Sequence, residues 1–369
     1  MNRGIVSSSR ECHILFTICD HFEPFWNKVD YKTAQSRVEK WVDNYPKIAQ
    51  KHKDALGNSP KYCFFYPIEE YDRNFLDQIS DICKHGIGET EIHLHHHNDT
   101  PENLKKTLID FKKRLYEEHG LLCRNRKSKD IQYGFIHGNW ALDNSRPDGQ
   151  WCGVNNEISI LQETGCYADF TMPSAPSDTQ TRKINDIYYA IDDPERPKSH
   201  DTGQSAEAGK TDSGGLLCIQ GPLCFNLKKR KFGIIPKIEN GDLSSDMGFS
   251  AARIQLWSDQ RIHVKGRPDI IFIKVYTHGT QEKNMHYFFD QGKLEKLYSE
   301  IEDFCLNIPD CKLYYVSARQ MYNVVKGLEV LPNASVPEIL DHELVLQSTS
   351  LDYITPGEFI NNSSTIIQS

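Results

Sequence analysis

The sequence lacks the features that mark membrane, exported and nucleotide-binding proteins. It has no run near the roughly 18 apolar residues that cross a bilayer, and its first residues lack the apolar stretch of a signal peptide. Neither GxGxxG nor GxxxxGK[ST] occurs, so a nucleotide-cradling loop is not indicated, and no GxSxG motif marks a serine hydrolase. We therefore expect a cytoplasmic protein with no membrane span.

Clustered positive charge and paired cysteines are also missing. The net charge is −8, and the nearest basic run, residues 228–231, is short and typical of a solvated turn. Nucleic acid is therefore not an expected partner. The 11 cysteines form no CxxC pair and are odd in number. Without an export signal they are predicted to be reduced and mostly buried, with no thiolate cluster to compete for a metal.

What the chain does have is a regular alternation of apolar, strand-like runs with amphipathic helical stretches. The predicted strands are residues 13–19, 61–66, 89–95, 132–137, 168–172, 270–278 and 312–316. The predicted helices are residues 31–52, 72–84, 101–119, 155–164, 293–305 and 318–326. This alternation predicts a parallel α/β architecture, either a barrel or a doubly wound sheet.

One long stretch breaks the alternation. Proline, glycine, aspartate and serine are frequent in residues 173–268. Since a structureless loop of this length is unusual in a compact domain, we predict an ordered insertion that shapes a site. Residues 1–328 are then one domain, and the pattern does not place the tail at 329–369. The sequence gives no signal for the oligomeric state.

Histidine is concentrated at the end of one predicted strand. Four of the 15 histidines fall within residues 93–97. If the strand continues, His93, His95 and His97 point to one face and His96 to the other. Imidazole suits borderline divalent metals such as zinc, and a strand end holds it rigidly. The cluster predicts a metal or catalytic site.

Polar residues also follow three other predicted strands, at residues 20–21, 137–140 and 277–279. In parallel α/β folds the carboxyl ends of the strands share one face, so these residues are expected to converge on one cleft. Aspartate and several histidines fit one divalent cation with an open position, together with a carboxylate and a histidine for proton transfer.

These strand-end motifs, in this order, resemble the NodB-homology polysaccharide deacetylases, and most of all their WbmS-like branch, which is associated with bacterial surface-polysaccharide gene clusters. The resemblance covers residues 12–323 and is most distinctive at residues 19–24 and 91–100. It implies a distorted (β/α)7 barrel of the NodB-homology type, with residues 173–268 as a long insertion. It also implies one zinc-like cation, with cobalt or nickel as alternatives, and hydrolysis of an N-acyl or O-acyl group on a sugar.

The family's first motif, Thr-Phe-Asp-Asp, falls on residues 18–21. By position, Asp20 takes the place of the catalytic base, and His21 takes that of a metal-binding aspartate. Because histidine replaces aspartate, alternatives stay open: His21 binds the metal, Asp20 binds it with a different base, or Glu23 reaches in.

The second motif, His-x-x-x-His, aligns best with His95 and Asp99, which keeps the lead-in of the motif. The resemblance then assigns both residues as metal ligands, with aspartate replacing the second histidine. An alternative register uses His93 and His97 and preserves two histidines four apart. Asp99 is also a common residue type for the N-cap of a following helix.

The remaining motifs are matched more loosely. The third, Arg-x-Pro-x-Gly, has lost its arginine and proline here and leaves His137, Asn139 and Trp140 as substrate-binding candidates. The fourth, an aspartate on a strand, corresponds to Asp169, for which a buried capping role is the alternative. The fifth, Leu-x-His, falls on His278, which the resemblance assigns as the general acid that protonates the leaving group.

Arginines in the insertion suggest what the substrate carries. Guanidinium groups bind carboxylate or phosphate in a bidentate manner, so Arg253 and Arg267 are assigned to substrate binding. The predicted partner is an acylated sugar, and one version of this prediction makes the sugar anionic or nucleotide-linked. The alternative role for each arginine is an ordinary salt bridge within the protein. Two other functions stay open, namely an amidohydrolase of the deformylase kind on a non-sugar amide and a non-catalytic carbohydrate-binding or assembly protein.

Overall fold

The computed structural model describes residues 11–211, 214–232 and 234–347. The strands in this part of the chain are β1 (Cys12–His21), β2 (Tyr62–Pro67), β3 (Gly88–Leu94), β4 (Cys123–Asn125), β5 (Ile131–His137), β6 (Cys166–Asp169), β7 (Ile187–Ala190), β8 (Gln204–Ser205), β9 (Leu216–Ile219), β10 (Cys224–Lys231), β11 (Ile235–Glu239), β12 (Ile270–Thr277), β13 (Cys311–Tyr315) and β14 (Leu344–Leu346). The α-helices are α1 (Tyr31–Ala49), α2 (Arg73–Lys84), α3 (Pro101–His119), α4 (Glu157–Glu163), α5 (Ala251–Asp259), α6 (Glu282–Met285), α7 (Lys293–Leu306), α8 (Ala318–Val330) and α9 (Val336–Ile339).

A mostly parallel sheet forms the centre, and its order is β12-β1-β2-β3-β5-β6-β9 followed by the antiparallel strands β7 and β8. β13 pairs with the first half of β1, and β2 pairs with its second half. The predicted α/β architecture with a parallel sheet and flanking helices is confirmed.

Closure into a seven-stranded barrel is not confirmed. Seven parallel strands follow one another from β12 to β9, but no ladder joins these two ends within the described residues. Instead, the buried Lys274 of β12 donates from Nζ to the carbonyl oxygens of Phe170 and Met172, at 2.6 and 2.7 Å. Burial lowers the pKa of this lysine to about 8. A side chain therefore links strands that backbone pairing does not.

The strands are buried on both faces, which explains their continuous apolar character. Alternate residues enter different cores: Ile14 and Phe16 belong to one apolar cluster, and Leu15 and Cys19 belong to the other. The second cluster includes Met321 of α8, a helix with buried residues on nearly every side. The sheet thus has packed layers on both faces, which fixes the positions of the strand ends.

Helix starts follow the sequence signals closely. The side chain of Thr100 caps α3 by accepting a hydrogen bond from Asn103 N, with Pro101 in the first turn. Gly120 ends the helix in the left-handed conformation, with φ of 67°. Ser317 and Gln320 form a capping box at the start of α8. None of the described helices combines the length and hydrophobicity that a membrane crossing needs.

The stretch at 173–268 contains β7 to β11 and α5. One of its strands, β9, pairs in parallel with β6 and belongs to the central sheet. Residues after 328 also contact the rest of the domain, because β14 pairs with β4 and Asp341 forms an ion pair with Arg319 at 2.7 Å. Of the predicted tail, residues 348–369 lie outside the described residues.

Candidate active site

Five side chains from three strand ends lie together and form what we call the cleft cluster. Its members are His21, Glu23, His93, His95 and His278. The potential ligand atoms of Glu23, His93 and His95 lie within 4.8 Å of one another, and so do those of His21, Glu23 and His278. Glu23 belongs to both groups, so it occupies the centre of the cluster.

Two of these rings are held by hydrogen bonds from the side away from Glu23. His93 Nδ1 lies 2.7 Å from the carbonyl oxygen of Ile136, and His95 Nδ1 lies 2.5 Å from Glu69 Oε1. Because these oxygens only accept, each Nδ1 carries the proton and donates it. The Nε2 atoms of His93 and His95 lie 3.3 and 3.6 Å from Glu23 Oε1. Metal-binding histidines are oriented in this way by a partner on the other ring nitrogen.

The other two rings are neutral near pH 7. Burial lowers the pKa of His21 well below its usual value, and the neighbouring His278 and His93 lower it further. Burial also lowers the pKa of His278. The ring centroids of His21 and His278 are 4.6 Å apart. For Glu23, burial raises the pKa, but the contact with His93 and the adjacent histidines outweigh it and lower the pKa overall, which favours the carboxylate.

A cavity of about 220 Å³ opens beside the cluster. Its lining residues are His21, Glu23, Trp26, His95, Asn139, Trp140 and His278. Asn139 and Trp140 both have a φ of 54°, a left-handed conformation that tryptophan rarely adopts. The Trp140 Nε1 donor is buried and has no hydrogen-bond partner among the described residues. Trp140 therefore adds an aromatic side chain to the cavity lining, next to the histidine rings.

Gly138 makes the position of His95 possible. A Cβ atom at residue 138 would overlap the His95 ring and the carbonyl oxygen of Leu94. We predict that Gly138→Ala displaces His95 and weakens metal binding in the cleft about 10- to 100-fold, the usual effect of a misoriented ligand. Zinc titration by calorimetry measures this. His97→Ala, which removes an exposed histidine outside the cleft cluster, is the control; equal affinity in both variants would show that His95 is not needed.

The three predicted metal ligands, His21, His95 and Asp99, do not all lie in the same place. His21 and His95 lie in the cleft cluster, but Asp99 does not. Its Oδ2 binds His96 Nδ1 at 2.8 Å, and its Oδ1 accepts from Thr100 N at the start of α3. Asp99 as a cleft ligand is therefore not supported by the geometry, and the helix-start alternative describes its contacts better.

The alternative register of His93 with His97 is divided in the same way. His93 is in the cleft cluster, whereas the Nδ1 atom of His97 accepts a hydrogen bond from Trp151 N at 2.9 Å. The physical reason is that β3 ends at Leu94. The two-residue alternation of a strand stops there, so the chain turns and places His93 and His95 together while His97 leaves.

Asp20 lies beside the cluster with both oxygens engaged. Oδ1 accepts from Gly279 N at 2.6 Å, and Oδ2 accepts from the Tyr62 hydroxyl at 3.0 Å. Burial raises the pKa of Asp20 well above its usual value. Its role as catalytic base stays a prediction, but these contacts connect β1 to the segment carrying His278 and favour a positioning role.

Three predicted substrate-binding residues are fully occupied inside the protein. Arg253 is buried and holds Glu239 through two hydrogen bonds of 2.6 and 2.7 Å. Arg267 holds Asp269 and donates to two backbone carbonyls. His137 is fully buried and lies in a second histidine group, away from the lining of the cavity. Asn139 and Trp140, in contrast, do line it.

Sequence reasoning missed Glu69 and a fifth strand-end signal that marks it. Glu69 and Glu70 lie in the short turn that follows β2, as the predicted polar residues follow β1, β3, β5 and β12. The signal was therefore present after Pro67. Asp169, matched to the fourth motif, binds the hydroxyl of Thr171 at 2.6 Å, an interaction within its own turn.

Comparisons with known proteins leave the family open. No family model and no curated protein matches the chain. Among solved structures, the chain is similar to a protein assigned as a polysaccharide deacetylase from Mycobacterium smegmatis, with 12% identity and a TM-score of 0.41 over 90% of this chain and 96% of that one. It is also similar to a 4-alpha-glucanotransferase from Thermococcus litoralis, with 12% identity and a TM-score of 0.40 over 83% of this chain and 39% of that one. Likeness at this level carries no functional argument, so function has to be argued from the residues.

Proposed function

We propose that this protein is a metal-dependent deacylase that removes an acyl group, acetyl in the first instance, from an amino sugar or related sugar intermediate of surface-polysaccharide biosynthesis. The observation that carries the proposal is the placement of Glu23 against the Nε2 atoms of His93 and His95, each anchored through Nδ1. The sugar and its pathway rest on the resemblance of residues 19–24 and 91–100 to the deacetylases.

The donor set fits a zinc-like cation. Glu23, His93 and His95 would hold it, since two imidazoles and a carboxylate are a common ligand set of catalytic zinc. Their anchored rings favour them over the group of His21, Glu23 and His278. When bound, such a cation polarises an acyl carbonyl and makes water more acidic.

The other residues of the cleft would handle protons and position the substrate. A neutral His278 can accept a proton from water and donate it to the leaving nitrogen, so that the sugar departs as a neutral amine. Asp20 holds the adjacent Gly279 N and so fixes the place of that ring. Trp26 and Trp140 line the cavity and would offer aromatic surface to a sugar ring.

His278→Ala tests this division of roles. We expect turnover to fall roughly 100-fold, within the range of a lost general acid, while the metal content stays unchanged. Acetate release and elemental analysis on the same preparation measure both. The matched control is His97→Ala, which removes an exposed histidine outside the cleft cluster. Loss of the metal together with activity would assign His278 as a ligand instead.

A substrate panel tests the chemistry itself. The proposal expects acetate release from N-acetylated or O-acetylated sugars and little from simple amides. Release from amides alone would favour an amidohydrolase on a non-sugar substrate. Anionic and nucleotide-linked sugars in the panel test whether the substrate carries a negative charge. This part of the proposal has less support, because Arg253 and Arg267 have ion-pair partners within the protein.

A second candidate function has one observation in its favour. Asp20, at the position of the family's base, has both oxygens engaged. A non-catalytic sugar-binding protein would retain such an arrangement without loss. It would bind acetylated sugars in calorimetry, release no acetate, and be insensitive to His278→Ala.

A further inference from the structure

A second group of potential metal ligands lies next to the cleft, and none of its residues lines the cavity. It consists of His96, His137, Cys152 and Glu157, whose ligand atoms lie within 4.8 Å of one another. His137, Cys152 and Glu157 are completely buried. We call these four residues the inner group.

Both rings of the inner group are fixed through Nδ1. His96 Nδ1 lies 2.8 Å from Asp99 Oδ2, and His137 Nδ1 lies 2.6 Å from the carbonyl oxygen of Gly138. Their Nε2 atoms face each other at 2.8 Å. With each Nδ1 donating, two lone pairs would meet at this distance and repel. Either a proton or a metal ion has to lie between the rings.

Glu157 completes the argument because one of its oxygens has no hydrogen bond. Oε2 accepts from Asp143 N at 2.5 Å, whereas the buried Oε1 has no hydrogen-bond partner among the described residues. Oε1 lies 3.3 Å from His96 Nε2 and 3.4 Å from His137 Nε2. Ligand atoms around tetrahedral zinc, with Zn–N near 2.0–2.1 Å, are about 3.3 Å apart. These two distances match the edges of such a site, and the 2.8 Å edge between the two Nε2 atoms would lengthen by about 0.5 Å when the ion binds.

Cys152 supplies a fourth donor of the type that selects zinc. Its Sγ lies 3.4 Å from Glu157 Oε2 and is buried with the group. A thiolate and a carboxylate together balance the two positive charges of a divalent ion, so the occupied site would be neutral. Binding transfers the thiol proton of Cys152, and any proton held between the imidazoles, to solvent.

We propose that His96, His137, Cys152 and Glu157 bind a second divalent ion, zinc by donor chemistry, in a closed structural site separate from the cleft. Four protein ligands leave no open position for substrate. The partners of the two rings, Asp99 and the Gly138 carbonyl, then serve to orient the ligands. This role also accounts for the contact of Asp99, which was predicted as a ligand of the cleft metal.

The site would brace the cleft. His96 directly follows His95, and the Ile136 carbonyl that anchors His93 directly precedes His137. A metal at the inner group therefore joins three segments of the chain. These are the end of β3, where His93 and His95 lie, the end of β5, and the loop that contains Cys152. It stiffens the support of the cleft without contacting substrate.

Cobalt substitution tests the inner group independently of catalysis. Protein produced in zinc-depleted, cobalt-supplemented medium is expected to show thiolate-to-cobalt charge-transfer absorption, which only a cysteine ligand gives. The absorption should be lost in Cys152→Ser, with one ion fewer per chain by elemental analysis, and kept in His93→Ala. Cys166→Ser is a matched control, because its thiol is also buried and also hydrogen-bonds the carbonyl two residues ahead.

The outcomes separate this site from the proposed function. Charge transfer in wild type and His93→Ala, with no acetate release from any sugar, would support the inner site and overturn the deacylase. Cobalt bound without charge transfer in wild type would overturn the inner site and leave the cleft unaffected. If Cys152→Ser does not fold, Glu157→Gln replaces it, since it keeps the thiolate and is expected to shift the absorption; an unshifted band would exclude Glu157 as a ligand and overturn the four-residue site.

Discussion

Glu23→Gln is expected to remove the cleft metal and to lower kcat/KM for acyl release roughly 1,000-fold or more, the loss of several kcal/mol of transition-state stabilisation. The amide has nearly the size of the carboxylate but neither its charge nor its affinity for a divalent ion. Because Glu23 belongs to both possible ligand groups of the cleft cluster, the variant tests them together. Elemental analysis beside steady-state kinetics provides the measurement.

The control for this variant is Glu70→Gln. Glu70 is a nearby carboxyl whose Oε2 accepts from Phe25 N at 2.7 Å, and it is in neither ligand group. It should retain the cleft metal. His93→Ala and His21→Ala then separate the two groups, since each removes a ring from only one of them. Full activity in Glu23→Gln would reject the cleft as a metal-dependent catalytic site.

Arg253→Ala is expected to destabilise the fold by about 3–5 kcal/mol, the usual result of leaving one member of a buried ion pair without its partner. Arg253 and Glu239 are 1% and 0% exposed in their side chains. Without the guanidinium, Glu239 keeps Trp257 Nε1 and Gly241 N as its donors among the described residues. Thermal and urea unfolding measure the loss, while KM of the remaining folded enzyme should stay unchanged.

Two further variants test whether the loss of stability comes from the buried charge that is left without a partner. Arg253→Met combined with Glu239→Leu removes both charges and should recover much of the stability. Arg182→Ala removes an exposed arginine of the same insertion, paired with Asp201, and should cost at most about 1 kcal/mol. A stable Arg253→Ala protein with a raised KM for acidic sugars would instead restore the predicted substrate-binding role.

Much of the fold could be read from the sequence, because its strands are buried on both faces and therefore appear as continuous apolar runs. β1, β2, β3, β5 and β12 all fall close to their predicted positions. β9 was harder to place, since four apolar residues inside a polar, glycine-rich stretch do not indicate whether they join the central sheet. Its parallel pairing with β6 depends on contacts between segments distant in sequence.

The site was predictable as a region but not atom by atom. The rule that strand ends converge brought His21, His95 and His278 together correctly. It could not indicate that the chain turns after Leu94, which places His96 in the inner group, with Asp99 as its hydrogen-bond partner, and keeps His95 in the cleft. Nor does an arginine in a sequence reveal its partner, and the Arg253–Glu239 pair is visible only in three dimensions.

The pairing of β1 has a consequence for how the protein is made. Residues 13–20 pair with residues 270–277, and residues 12–16 pair with residues 311–315. A chain emerging from the ribosome therefore carries an apolar strand of which two neighbours, β12 and β13, are synthesised some 250 to 300 residues later. Such non-local pairing is slow to form and leaves an edge open to other chains. The cleft is completed only after His278 has been synthesised. The nascent chain therefore has to avoid aggregation for most of its synthesis before it can bind a metal there.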